Sequence, residues 1–188
     1  QDLLPAIDNL LLLRTLQALR KTAEFDANRA FFCNITPLTL NDPKFMSDLV
    51  EFISQNRALA PRLIFELGQR DLATMSPDTL PVLAGLSHLG CRFSMDSVHD
   101  LSFDFDLLEP RFIRFIKIEA VMLLGALREP GGLLRLRRLK DSLDREGIDV
   151  IVEKVENERQ LVELLDLDID YGQGFLFGHP LRVEVQAA

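Results

Sequence analysis

The chain has 188 residues, of which 47% are hydrophobic, and a formal net charge of −8. This length and hydrophobic content exclude a disordered chain and allow a single domain with a large core, which we expect to cover residues 1–188. The acidic balance argues against DNA or RNA polymers as partners, because an acidic surface repels their phosphates.

No apolar run reaches the roughly 18–20 residues that a membrane span needs. We therefore expect this segment to make no membrane contact. Cys33 and Cys91 fall in or beside apolar, strand-like runs. Free cysteines in such places serve as small apolar core residues, so we expect neither a disulfide nor an oxidising compartment. The first residue is Gln1 rather than Met, and we expect the chain to be part of a longer protein.

Helical and strand-like patterns alternate along the chain. In chain order they predict a helix over 6–22, a strand over 31–35, a helix over 43–56 capped by Asn41 or Asp42, a strand over 63–67, a helix over 79–89, strands over 92–96 and 112–119, a helix over 132–146, a strand over 149–155, a helix over 158–165 and an extended segment over 171–177. The strands are almost continuously apolar, which is typical of parallel sheets covered by helices. This predicts the α/β class and a (β/α)8-type TIM barrel that is incomplete at its N-terminus, since a complete barrel takes about 250 residues.

Polar residues end or interrupt five of the predicted strands. These residues are Asn34, Glu66, Asp96, Lys117 and Glu153. The carboxyl ends of parallel barrel strands converge on one mouth, where barrel active sites lie. Buried carboxylates need a cation, a lysine or a proton to neutralise them, and carboxylate and amide oxygens suit Mg²⁺, Mn²⁺ or Ca²⁺. The residues by themselves leave open a metal-and-phosphate site and an internal ion-pair network around Lys117.

Two C-terminal segments resemble the signatures of a known family. They are Val-Glu-Lys-Val-Glu over 152–156 and Asp-Tyr-Gly-Gln-Gly-Phe-Leu-Phe-Gly-His-Pro over 170–180. The first is similar to the EGVE motif, and the second to the DxxQGYxFxxP motif, of EAL domains, the cyclic-di-GMP phosphodiesterase family. The resemblance covers essentially the whole chain. It implies a TIM barrel, a nucleotide-binding role in bacterial second-messenger signalling, and a cytoplasmic domain of a longer protein that can carry a membrane anchor elsewhere.

The family's functional positions are matched in order along the chain. Asn34, Glu66 and Asp96 match its metal-binding Asn, Glu and Asp, and Lys117 matches its water-orienting Lys. The resemblance therefore implies ligand contacts from Asn34, Glu66, Asp96, Lys117, Glu153, Glu156 and Gln173. It implies a metal site, weak or lost, at Asn34, Glu66, Asp96 and Glu153.

Three aromatic or basic residues near the C-terminus add to this implied site. Phe175 and Phe177 are candidates for a wall against guanine, with packing of the last strand on the barrel as the alternative. His179 stands where the family often carries a basic residue, and its alternative is an exposed loop residue without a role.

Several positions depart from the family pattern. Ser97 replaces the second Asp of DDFG, Gln69 the second Glu of LEITE, Lys154 the Gly of EGVE and Glu119 the Asp of KID. The Glu-Ala-Leu strand has no counterpart, and residues 98–102 replace a glycine-containing loop. A two-metal site depends on anionic ligands. We therefore expect the family-equivalent Lys117 and Glu153 not to support hydrolysis, and no cofactor to be required, with Mg²⁺, Mn²⁺ and Ca²⁺ as candidate ions.

Three functional hypotheses follow. The first is a catalytically inactive EAL-like receptor that binds cyclic-di-GMP, orders its 97–106 loop and signals to other proteins. The second is a ligand-free scaffold that contacts other signalling proteins or a second copy of itself through sheet edges, the 6–19 helix or the 103–105 segment. The third is a metal-dependent cyclic-di-GMP phosphodiesterase whose Glu-Ala-Leu strand lies upstream.

Overall fold

The computed structural model describes residues 3–23, 29–108 and 111–180, and its centre is a parallel sheet. The six strands are β1 (Phe31–Asn34), β2 (Leu63–Gly68), β3 (Arg92–Asp96), β4 (Ile113–Glu119), β5 (Asp149–Glu153) and β6 (Tyr171–Gly172). Each strand pairs in parallel with the next one along the chain. This sequential order is the topology of a (β/α) barrel. The sheet forms a half-barrel, which confirms the predicted incomplete TIM barrel.

Helices follow the strands and cover the outside of the sheet. They are α1 (Leu3–Ala23), α2 (Pro37–Leu40), α3 (Pro43–Gln55), α4 (Gln69–Thr74), α5 (Leu80–His88), α6 (Phe105–Leu108), α7 (Ala120–Leu127), α8 (Gly132–Arg145) and α9 (Glu158–Leu164). The five predicted helices are present, and Asp42 caps α3 through the amides of Lys44 and Phe45. The sequence did not predict α2, α4, α6 and α7. None of the described helices is long and apolar enough to cross a membrane.

The last two predicted strands are shorter in the structure than in the prediction. β5 ends at Glu153 because Lys154 has a left-handed φ of 57°. The segment predicted as extended over 171–177 is a strand only at Tyr171–Gly172, and the amide of Phe177 then donates to the carbonyl of Gly174 at 3.0 Å to close a turn.

Alternation along the strands separates two apolar layers. Residues that face the helices form the larger core, and they include Phe65, Leu67, Phe93, Ile116, Ile118, Val150 and Val152. Residues on the inner face of the sheet form a smaller cluster of Ile64, Phe115 and Ile151, with Ala30 and Phe32 against it. Glu66, Lys117 and Glu153 each stand two residues after a member of this inner cluster. They therefore lie on the same inner face, one layer closer to the carboxyl ends of the strands.

Both cysteines are buried and free, as predicted. Cys33 is on β1, and Cys91 precedes β3. Burial raises the pKa of the Cys91 thiol to about 12, so this thiol stays protonated and unreactive at neutral pH.

Helix α1 is attached to the segment after β1 by one buried carboxylate. Oδ2 of Asp8 accepts hydrogen bonds from the Thr36 amide at 2.9 Å, the Thr36 hydroxyl at 2.9 Å and the Thr39 hydroxyl at 2.6 Å. The opposite side of α1 exposes Ile7, Leu10 and Leu11.

We expect Asp8→Ala to lower the free energy of unfolding by about 2–3 kcal/mol, because it leaves the buried Thr39 hydroxyl and the Thr36 amide without their acceptor. Urea denaturation followed by circular dichroism measures this change. Asp48→Ala, an exposed aspartate on α3, is the control and should change stability by less than about 0.5 kcal/mol. Equal effects of the two substitutions would contradict the assigned role of Asp8.

Candidate functional site

A buried lysine lies at the centre of the inner face. Lys117 Nζ on β4 is 2.5 Å from Oε1 of Glu66 on β2 and 3.4 Å from Oε1 of Glu153 on β5. The same ammonium lies 4.6 Å from the centre of the Phe32 ring, a cation–π contact. The ion-pair network around Lys117, one of the two arrangements left open by the sequence, is therefore present.

The charges of this network alter the pKa values of its members. Burial raises the pKa of Glu66 above its ordinary value, and the ion pair with Lys117 offsets only part of this effect. Burial also disfavours the charged form of Lys117, but Glu66, Glu153 and Asp96 outweigh it and raise the pKa of the ammonium. Lys117 is therefore a permanent cation below the mouth at neutral pH.

A second ammonium stands at the rim of the mouth. Glu119 and Glu153 occupy paired positions at the ends of β4 and β5, and Lys154 follows Glu153 directly. Its ammonium donates to Oε1 of Glu119. The hydrogen bond with Glu119 raises the pKa of Lys154 and outweighs the opposing effect of desolvation, and the charges of Glu119, Glu153 and Asp96 add to the rise.

Beside these lysines is an open cleft of about 610 Å³. Its lining consists of Glu153, Lys154, Glu156, Gly172, Gln173, Gly174, Phe175, Phe177, Gly178, His179 and Pro180. Five of the nine predicted ligand residues are in this lining. Both phenylalanines are more than half exposed. The Phe175 ring lies 5.0 Å from that of His179, and Phe177 lies over Gly172.

The other four predicted ligand residues are not in the lining of the cleft. Glu66 and Lys117 are buried, and Lys117 is linked to the cleft lining through Glu153. Asp96 ends β3, where its Oδ1 accepts from the Ser97 amide at 2.6 Å. Asn34 is exposed at the end of the edge strand β1, in register with Glu66.

Backbone hydrogen bonds hold the C-terminal wall of the cleft. The amide of Gln173 donates to the Val152 carbonyl at 2.8 Å, the amide of Val155 donates to the Gln173 carbonyl at 3.0 Å, and the amide of Leu176 donates to the Val155 carbonyl at 3.1 Å. Gly174 makes this close approach possible, because a Cβ at this position would lie 2.2 Å from the Val155 carbonyl oxygen. The turn that carries Gln173 and Phe175 is therefore fastened to the end of β5.

On the opposite side, the amide group of Gln69 holds the loop after β3. Oε1 of Gln69 accepts from the amides of His99 at 2.8 Å and Asp100 at 3.1 Å, and Nε2 donates to the Asp100 carbonyl at 2.8 Å. Part of the 97–106 loop therefore has protein contacts of its own. Phe103 and Phe105, proposed from the sequence as partner contacts, are half-buried against the core.

We expect Gln69→Glu to lower the free energy of unfolding by about 1 kcal/mol, because a carboxylate cannot donate to the Asp100 carbonyl. Denaturation curves at pH 8 measure the loss. The exposed Gln17 on α1 offers a matched control in Gln17→Glu, which should leave stability nearly unchanged. A Gln69→Glu protein as stable as the wild type would show that the donated bond does not hold the loop.

Three of the acidic side chains at the mouth are paired with lysines. Among residues 3–23, 29–108 and 111–180, no three His, Cys, Asp or Glu side chains are grouped to hold one. The carboxylates of Glu66, Glu153 and Glu119 face the ammonium groups of Lys117 and Lys154 instead. Ser97, at the position of a family acid, carries only a neutral hydroxyl.

Sequence reasoning missed two features of this site. The first is the contact of Phe32 with Lys117. Phe32 stands two residues before Asn34, so strand alternation places it on the inner face, where Lys117 also lies. The sequence identified Lys154 as a departure from a glycine but named no partner for its side chain. Its pairing with Glu119 depends on the register of β4 and β5.

Comparisons with known proteins agree with the fold. The family model for the EAL domain matches residues 1–180. The cyclic di-GMP phosphodiesterase PdeF of Escherichia coli strain K12 is 26% identical over 186 residues, 93% of this chain and 23% of the relative. The cyclic di-GMP phosphodiesterase RocR of Pseudomonas aeruginosa is 23% identical over 166 residues, 86% of this chain and 41% of the relative.

The chain thus spans less than half the length of these two curated relatives. Among solved structures, the Xanthomonas citri FimX EAL domain in complex with c-diGMP superposes with a TM-score of 0.78 at 19% identity, covering 96% of this chain and 72% of the other. The half-barrel, the order of its strands and the match of the family model lead to one conclusion. The chain belongs to the EAL domain family.

Proposed function

We propose that this chain binds cyclic-di-GMP in the cleft without hydrolysing it and signals the bound state to another protein. The observation that carries the proposal is the pairing of the mouth carboxylates with Lys117 and Lys154, next to a cleft with two exposed aromatic rings. No cofactor is required for this function.

The cleft offers the two kinds of contact that a cyclic dinucleotide needs. The exposed rings of Phe175 and Phe177 can stack on a planar guanine base. The exposed ammonium of Lys154 can face a phosphodiester, and Gln173 supplies both a donor and an acceptor for base edges. The fastened backbone of the Gln173–Leu176 turn keeps these groups in place before the ligand arrives, which reduces the entropic cost of binding.

Slow or absent hydrolysis follows from the same charges. Attack on a phosphodiester at neutral pH needs an activated water, which bound metal ions supply in metal-dependent phosphodiesterases. Here Glu66 and Glu153 are engaged by Lys117, and Ser97 contributes no negative charge. The site therefore favours binding over turnover.

The exposed apolar side of α1 is the surface we assign to the partner. Ile7, Leu10 and Leu11 lie at helical spacing and are each close to half exposed. Such a stripe on a folded protein marks a contact surface. The partner is another signalling protein or a second copy of the chain.

Hydrolysis is the competing function, and the naming of the curated relatives as cyclic di-GMP phosphodiesterases favours it. Titration calorimetry of the full chain with cyclic-di-GMP, together with chromatography of the ligand after incubation with Mg²⁺ or Mn²⁺, decides between the two. We expect micromolar binding and intact ligand. Linear dinucleotide formed in a reaction that Glu66→Ala abolishes would establish the phosphodiesterase instead.

Variants locate the binding site within the same experiment. Phe175→Ala should weaken binding about 5- to 150-fold, because it removes a stacking surface worth about 1–3 kcal/mol. Val162→Ala, an exposed apolar residue on α9 outside the cleft lining, should bind like the wild type. If the wild-type chain gives no heat on titration with cyclic-di-GMP, the remaining hypothesis is a scaffold that binds its partner through α1. A pull-down tests this hypothesis, with Leu10→Asp as the control that should lose the partner.

A further inference from the structure

Lys154 adopts a backbone conformation that its side chain disfavours. Its φ is 57°, in the left-handed region where a residue with a Cβ is strained and glycine is favoured. Residues held in this way cluster at functional sites, where surrounding contacts compensate for the strain. The side chain held in this conformation forms an ion pair with Glu119.

The ion pair places a positive charge where negative charges converge. Glu119 and Glu153 end neighbouring strands in paired positions. The ammonium of Lys154 contacts Glu119, and the charges of Glu153 and of Asp96, which ends β3, act on it without a direct contact. These acids sit at the rim of the mouth, above the buried pair of Lys117 and Glu66. Without Lys154, the carboxylate of Glu119 would lose its ion-pair partner.

A dissolved cation and this ammonium compete for the same carboxylates. The ammonium is attached to the chain next to them, so its effective concentration is far above that of a dissolved ion. A divalent ion would have to displace it and then tolerate a like charge nearby. Lys117 cannot replace Lys154 in this role, because it is buried and engaged by Glu66.

We propose that Lys154 is a tethered cation that keeps divalent metal ions out of the mouth and presents its positive charge to the phosphodiester of a bound ligand. The exclusion of metal ions rests on the geometry of the rim alone. The contact with a phosphodiester rests on the proposed function.

Titration with Mn²⁺ in the absence of nucleotide tests the exclusion, with free Mn²⁺ measured by electron paramagnetic resonance. The wild-type chain should not bind Mn²⁺ below millimolar concentration. Lys154→Gln, which removes the charge, and Lys154→Gly, which also removes the backbone strain, should both bind at least tenfold more tightly. Lys154→Arg should behave like the wild type, as should Lys44→Gln at an exposed position on α3.

Three results would overturn the exclusion. The first is micromolar Mn²⁺ binding by the wild-type chain, and the second is no gain in Mn²⁺ affinity in either neutral variant. The third is a gain in Mn²⁺ affinity in Lys154→Gly alone, because this would assign the effect to the backbone rather than to the charge.

Calorimetry with cyclic-di-GMP tests the contact between Lys154 and the phosphodiester. Without metal, Lys154→Gln should bind at least tenfold more weakly than the wild type, and added Mn²⁺ should recover part of the loss in this variant only. Equal affinity of the two proteins would refute the contact with the phosphodiester. If no protein in the series binds cyclic-di-GMP, the proposed function fails, and the Mn²⁺ titration still decides the role of Lys154.

Discussion

Replacing Lys117 with Met should lower the free energy of unfolding by about 3–5 kcal/mol at neutral pH, because it leaves a buried carboxylate without its counter-charge. Glu66 is 6% exposed, and its Oε1 lies 2.5 Å from the lysine. Met has a similar length and fits beside Phe32, so the loss reports the charge rather than a cavity. Chemical denaturation followed by circular dichroism measures it.

Two further variants separate the charge from other effects. Lys117→Met combined with Glu66→Gln removes both charges and should recover a large part of the loss, because the unpaired ion is gone. Lys154→Met breaks the exposed ion pair with Glu119 and should change stability little, because solvent screens that pair. A Lys117→Met protein less than about 1 kcal/mol below the wild type would show that the buried pair is not ionised as assigned.

The stability lost in Lys117→Met should grow as pH rises from 4.5 to 7–8. The folded pKa of Glu66 is raised above its ordinary value of 4.5. Its contribution to stability is therefore fully present below pH 4.5 and is lost as pH rises through the folded pKa. Lys117→Met removes the ion pair that lowers this pKa, so the folded pKa rises further and the loss extends to higher pH. The variant should be closest to the wild type near pH 4.5 and furthest from it at pH 7–8.

The wild-type chain should lose stability at alkaline pH, when Lys117 of the same ion pair deprotonates. The folded pKa of Lys117 is raised above 10.5. Its contribution is therefore present below pH 10.5 and is lost as pH rises through the folded pKa. The Met variant lacks this alkaline loss, and denaturation at pH 9 and pH 11 measures the difference.

Gly174→Ala should both destabilise the chain and open the cleft. The added Cβ would lie 2.2 Å from the carbonyl oxygen and 2.4 Å from the amide nitrogen of Val155, and φ at this position is +151°. The turn must move away from β5, which breaks its hydrogen bonds with Val155. We expect a loss of about 2–4 kcal/mol from strain and broken hydrogen bonds, and at least tenfold weaker binding of cyclic-di-GMP.

Gly178 is a matched control for this substitution. Its φ of +146° is nearly the same, but nothing lies within 4 Å of an added Cβ. Gly178→Ala therefore carries the backbone strain without the clash and should lose less stability than Gly174→Ala. Thermal unfolding and calorimetry of both variants test this difference. Equal losses would assign the effect to φ and not to the contact with Val155.

The sequence predicted the half-barrel because its signals are local. Apolar runs such as Leu63–Leu67 are buried on both faces, and the amphipathic pattern over 43–56 buries Phe45, Leu49 and Ile53 on one side of α3. Helix α7 was missed because Ala120–Leu127 is apolar almost throughout and therefore shows no helical period. The strand predicted over 171–177 was too long because glycines at 174 and 178 turn the chain.

Sequence alone also determined which residues stand at the strand ends, since each polar residue there interrupts an apolar run. Only the tertiary structure decided how their charges pair. Lys117 crosses from β4 to Glu66 on β2, and Lys154 meets Glu119 across the β4–β5 register. These partners are 51 and 35 residues apart in the chain, and no local pattern specifies contacts over such separations. Strand register and side-chain reach bring them together, and they determine whether the mouth carboxylates face a lysine or a metal ion.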